Sequence, residues 1–195
     1  MSTPTKVNFK IYQGSTFREV IRWESNVITY KPITNITKAA PMVVTAVGHV
    51  VPLGWRVKIA DVVGMKEVNS VDNYIIATST TSDTVTFNSV NSSSYTAYTS
   101  GGTLYYNQPS SLSGVTARMQ IRAKLGSTTT LDELTTANGK IILDDTAKTI
   151  TLLVSATDTA LYTFSSAVYS LEVISGIVVT PLIYGNITLD KEITR

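Results

Sequence analysis

Between Thr116 and Lys124 the chain reads TARMQIRAK, and its side chains alternate without a fault. Ala117, Met119, Ile121 and Ala123 fall on one parity, and Arg118, Gln120, Arg122 and Lys124 on the other. Successive Cβ atoms of a strand point to opposite faces of a sheet, so this pattern predicts an antiparallel strand with one face on a core and one in water. The composition extends that expectation to the rest of the chain. Serine and threonine number 50 of 195 residues, while 43% of residues are hydrophobic and only 15% charged. β-Branched, hydroxylated and apolar residues with few helix formers suit pleated sheets whose outer faces carry Thr and Ser.

Further strands follow from the same reasoning. KVNFKIY (6–12) precedes a turn-like QGS, and TFREVIRWES (16–25) sets Phe17, Ile21 and Trp23 on one parity, where Glu19 calls for a bulge, an edge or a partner. KPITNITKAAP (31–41), with two prolines, reads as a connection. Five short candidates follow: MVVTAV (42–47), WRVKIADV (55–62), NYIIATST (73–80), DTVTFN (83–88) and GTLYYN (102–107). Such close spacing fits a small barrel or a two-layer sheet. Beyond NQPSSLSG the segments lengthen again: TARMQIRAK, a hairpin from GKIILDD (139–145) and KTITLLVSA (148–156), then VYSLEVIS, IVVTPLIYG and NITLDKEITR. LDEL (131–134) reads as one helical turn, SATDTALYTF (155–164) as a short helix or corner, and Pro181 as an edge or bulge.

The fold expected is all-β: an antiparallel β-sandwich frame from residues 1–38 and 108–195, with a small barrel-like β-module, 39–107, inserted into one loop. Loops accept such insertions because their ends already lie close together. Two sequential domains would leave residues 1–38 with too few strands to bury a core.

Several function classes are set aside by composition. Sixteen Lys and Arg against fourteen Asp and Glu give a net charge of +2, far from the clustered excess of a nucleic-acid binder. With no cysteine, disulfides, thiolate chemistry and Cys-ligated metals are excluded together. No apolar run reaches the ~18 residues of a membrane span, and the start lacks the marks of a signal peptide, so synthesis in a cytosol without membrane insertion is expected. His49 is the single histidine and has no sequence neighbour that would make it a catalytic or zinc residue. The glycines at 101–102 lead into a strand and lack the lysine of a phosphate loop. Asp144 and Asp145 sit where turns use aspartate. No catalytic, cofactor or metal residue is therefore assigned, and the chain is not expected to be an enzyme. Tyr95, Tyr98, Tyr105 and Tyr106 cluster near the end of the module; they read first as the core and rim of a small barrel, with Tyr95 and Tyr98 as the candidate contact for a host glycan or a partner.

The stretch from Gly48 to Leu104, with GHVV, GMKEVN and YTAYTSGG, resembles a β-module of tailed-phage virion proteins. That module is labelled as similar to the first catalytic cysteine half-domain of ubiquitin-activating enzyme, a chemistry this cysteine-free chain does not share. The flanking IYQGSTFREVIRW, LSGVTARMQIRAK, KTITLLVSATDTA, VYSLEVIS and YGNITLDKEITR are similar to a phage family of small β-sandwich structural proteins. The resemblance implies a virion component made in the bacterial cytoplasm. A tail-tip or baseplate part that docks fibres or receptor-binding protein comes first; a head-decoration or head-fibre anchor is the alternative. It implies no cofactor, and as partners other copies of the chain and neighbouring tail proteins. Arg18, Arg22, Arg118 and Arg122, at i and i+4 on strands, are candidate contacts at subunit boundaries, as are Ile187, Leu189 and Ile193 of the final segment.

Overall fold

The computed structural model describes residues 3–69 and 75–193; the ends of NYIIATST and NITLDKEITR at 73–74 and 194–195 lie outside that description. The strands in chain order are β1 (Thr5–Lys6), β2 (Phe9–Tyr12), β3 (Phe17–Arg22), β4 (Glu24–Pro32), β5 (Asn35–Ile36), β6 (Met42–Thr45), β7 (Arg56–Val63), β8 (Ile75–Ile76), β9 (Ser79–Thr80), β10 (Thr84–Phe87), β11 (Ser100–Pro109), β12 (Thr116–Arg122), β13 (Thr130–Thr135), β14 (Ile141–Asp144), β15 (Thr149–Val154), β16 (Ser166–Ser175) and β17 (Val178–Asp190). One helical turn of the 3₁₀ type, Lys66–Val68, and one short helix, α1 (Ala156–Ala160), complete the described elements. The fold is all-β, built from several antiparallel sheets with no closed barrel. No helix among the described residues is long and apolar enough to cross a membrane.

The chain forms two compact units, one running up to Trp23 and again from Ser111, the other from Glu24 to Ser110. Residues 24–38, expected from the sequence to belong to the frame, lie in the second unit. There β4 pairs with β11, and β5, read from sequence as part of a connection, pairs with β6. TFREVIRWES is correspondingly not one strand. It divides at Trp23 into β3 and β4, which belong to different sheets.

The first unit is sandwich-like, with a six-stranded sheet in the order β1-β17-β16-β12-β13, to which β2 adds beside β17, and a three-stranded sheet β14-β15-β3. The alternation of β12 survives intact: Ala117, Met119 and Ile121 are buried, and they share one core with Leu171 and Val173 of β16, Ile150, Leu152 and Val154 of β15, and Phe17. Edge position explains Glu19. β3 pairs only with β15 among the described residues, and Glu19 reaches solvent beside buried Phe17.

β17 joins IVVTPLIYG from Val178 and NITLDKEITR as far as Asp190 into one strand, and Pro181 sits at the register shift where Leu171 pairs with Ile183 and Glu172 with Pro181. A bulge spares the ladder the N–H that proline lacks. Against its other side β1 and β2 pair in parallel, Thr5 with Ile183 and Phe9 with Ile187. Between them the chain steps over Gly185, where a Cβ would stand 1.8 Å from the Val7 carbonyl oxygen. Tyr169 donates to that same carbonyl at 2.8 Å, and the Asn8 side chain accepts from Asn186 N–H at 3.0 Å. LDEL is not helical: it lies in β13, paired with β12, and buries Leu134. Helix propensity yields here to cross-strand pairing.

The second unit wraps two four-stranded sheets, β5-β6-β10-β9 and β4-β11-β7-β8, around a core that includes Trp55, Met65, Phe87, Leu104 and Tyr106. Trp55 is buried, and its ring N–H donates to the Asn107 carbonyl at 2.9 Å, so the largest core side chain leaves no donor unmet.

Candidate functional site

His49 is wholly enclosed in the second unit. Its Nδ1 accepts the Val51 N–H at 2.9 Å, its carbonyl oxygen accepts the Tyr106 hydroxyl, and Nε2 makes no hydrogen bond among the described residues. Burial holds the imidazole below its ordinary value, although the Thr84 main chain and Asp83 favour the charged form. This imidazole is sealed from solvent and braces a turn.

The other module residues are equally engaged. Gly64 has φ +91, and a Cβ there would lie 2.3 Å from the Ala97 carbonyl oxygen. Met65 and Val68 are buried. The Glu67 carboxylate accepts Thr96 N–H at 2.8 Å, and the Asn69 side chain clamps the Val62 main chain with bonds of 2.9 and 3.0 Å. Thr96 holds Glu67 below the usual carboxylate range. GMKEVN is a buckle between β7 and the segment before β11.

A dense set of titratable groups lies in the first unit. Lys140 contacts both Asp132 oxygens at 3.0 Å and Asp158 at 3.3 Å, and Tyr162 donates to Asp132 at 2.5 Å. Burial lowers Lys140, but the two carboxylates outweigh it and hold the lysine above its ordinary value. Burial, then Asp132, pushes Tyr162 far above the usual tyrosine range. The lysine therefore stays charged and the tyrosine protonated at neutral pH. The set joins β13, the start of the β14 hairpin and α1 as a mechanical clamp. Asp144 accepts Thr146 and Ala147 N–H at 2.8 and 2.9 Å, the turn role its position predicts. Among the described residues no three acidic or histidine side chains converge as metal ligands do.

The expected contact residues divide. Ile187 and Leu189 are 0% and 5% exposed, because they share the inward parity of β17 with Ile183; they are core, and no neighbour can reach them. Arg118 forms an ion pair with Glu172 directly across the strand pair, and Arg122 donates to the Ser127 carbonyl and to Gln120. Exposed pairs of this kind contribute ~0.2–1 kcal/mol, and both arginines are occupied within the chain. Arg18 and Arg22 stand exposed on β3, their side chains with no hydrogen bond or ion pair among the described residues. Ile193 is also exposed. Tyr95 and Tyr98 are half-buried against the second core, and the Tyr98 hydroxyl is spent on the Ile33 and Gly101 carbonyls at 3.1 and 3.0 Å.

Two features escape the sequence. The β16–β17 hairpin carries Ile177, Val178 and Val179 at 100%, 59% and 49% exposure, past Ile174, the last β16 residue that β12 pairs. Strand β4 pairs only with β11 among the described residues and shows Val27, Ile28 and Tyr30 to solvent along nine residues. Long apolar edges and tips of this kind invite a second chain.

No protein-family model matches the chain, and a search of curated proteins finds no match.

Proposed function

We propose that the protein is a structural component of a tailed-phage virion, set in several copies at the tail tip or baseplate, where it docks fibres or receptor-binding protein. The observation that supports this reading is the solvent-exposed hairpin tip Ile177–Val179. Burying such a side chain stabilises by about 1.5–3 kcal/mol, so three of them seated in a neighbouring subunit supply a substantial anchor. The open, arginine-bearing β3 edge fits the same role, since unneutralised cations at a strand edge steer an acidic partner. The resemblance of the frame and module to phage structural proteins gives the setting.

The test is Ile177→Asp with Val179→Asp. Both positions face water, so the melting temperature of the purified chain is expected to stay within about 2 °C of the parent, given ΔΔG below ~0.5 kcal/mol for such surface changes. Phage particles made with the double variant are expected to lack the protein when their composition is read by mass spectrometry. Incorporation at the parental copy number overturns the proposal.

A further inference from the structure

The outer face of the sheet β4-β11-β7-β8 carries two aromatic rings that the core does not use. Tyr30 and Tyr105 pair directly across strands, with ring centres 5.7 Å apart and planes inclined by 27°. Tyr30 is 63% exposed. Beside the rings the sheet is deformed. Strand β7 buries Val57 and Ile59 and then, out of step, Val62, so Ala60 and Asp61 fall successively on the outer side. Asp61 has φ +60, and Gly101 and Gly102 on β11 have φ +68 and +92. Gly101 pairs with Val62 and Thr103 with Ala60, but Gly102 and Asp61 between them do not pair. The result is a depression of about 290 Å³ lined by Tyr30, Tyr105, Thr103, Ala60 and Asp61. Among the described residues the Asp61 carboxylate has no hydrogen bond or ion pair.

We propose that this depression is a binding site for a neutral saccharide, with one pyranose ring against the tyrosines. The stacked rings give the depression an aromatic, apolar side, which suits the C–H face of a sugar; a cation cage needs rings set at steep angles. A free carboxylate is purely an acceptor and takes two hydroxyl donors, while Thr103 both donates and accepts. Asp61 repels an anionic ligand. The volume lies near the lower end of the ~300–1,000 Å³ usual for ligand sites, enough for one or two sugar rings. The left-handed aspartate supports the reading, because a non-glycine residue held there costs of order 1–3 kcal/mol, and such strain gathers at functional sites.

Saturation-transfer NMR tests the site with glucose, galactose, N-acetylglucosamine and rhamnose, and with tetramethylammonium as a cationic probe. Transfer to at least one sugar is expected from the parent chain, with affinity at least tenfold weaker in Tyr105→Ala and in Asp61→Asn. Asp61→Gly suits the observed φ and is expected to melt no lower than the parent while losing the sugar, which separates binding from folding. The Ile177→Asp, Val179→Asp variant is expected to bind as the parent does, so this site stands or falls apart from the hairpin tip. No transfer to any sugar, undiminished transfer in Tyr105→Ala, or response to tetramethylammonium alone overturns the proposal.

Discussion

A buried imidazole opposes protonation of the fold that encloses it. In His49 the acceptor role of Nδ1 toward Val51 places the ring proton on Nε2, and burial depresses the value from its ordinary 6.5. Below that pH the unfolded chain takes up a proton that the folded chain refuses, so stability falls as pH drops from 6.5 toward the depressed folded value and is insensitive to this group above 6.5. The slope is at most about 1.4 kcal/mol per pH unit for one proton. His49→Asn keeps an acceptor for Val51 but does not titrate; it is expected to be less stable at pH 7.5 by about 1–3 kcal/mol and to lose less on acidification. Urea midpoints at pH 7.5 and 5.5 check this, and parallel losses in both proteins count against it. That the lone histidine has no catalytic or metal-ligating neighbour in the chain was legible in the sequence. Its bond to a tyrosine 57 positions away was not, because register across sheets sets that contact. Tyr105 drew notice only beside its sequence neighbours Tyr95, Tyr98 and Tyr106, and its pairing with Tyr30 escaped for the same reason.

Strands declare themselves by alternation only where one face is dry and the other wet. β12 meets that condition and is read correctly from Thr116 to Arg122. Pro181 is equally legible, since its missing N–H forces the ladder to step aside there. Failures cluster where neither condition holds. β4 has mixed exposure along its length, so nothing in its pattern reports that it leaves the first unit at Glu24. LDEL is held extended by β12 and by the Lys140 clamp, neither of which its own four residues announce. The final segment was strand-like as expected, but its place beside β16 on one side and β1 and β2 on the other makes Ile187 and Leu189 core. Gly185 is the joint of that arrangement. Gly185→Ala sets a methyl group 1.8 Å from the Val7 carbonyl oxygen, so the chain between β1 and β2 must lift. A loss of about 1–3 kcal/mol is expected, with faster amide exchange at Lys6 and Val7. Unchanged exchange there shows that the backbone yields elsewhere.

At the scale of the whole molecule, two cores are served by a chain that leaves the first unit after Trp23 and returns at Ser111. Each unit has its own buried cluster, which is the requirement for folding alone. The fragment 24–110 is therefore expected to melt cooperatively by itself, and so is the first unit with that stretch replaced by a short Gly-Ser linker; a collapsed or aggregated fragment refutes the independence of that unit. The parallel pairing of β1 and β2 with β17 sets a timetable during synthesis. On the ribosome the opening strands emerge first, yet their partner is translated only after the entire second unit has appeared. The second unit can mature while the chain grows, whereas residues 5–12 must wait, unpaired and accessible to chaperones or proteases, until residues 178–190 arrive. Nascent chains arrested past residue 110 should thus resist cleavage within 24–110 and remain cleavable near the start, a vulnerability that closes only when the last long strand is delivered.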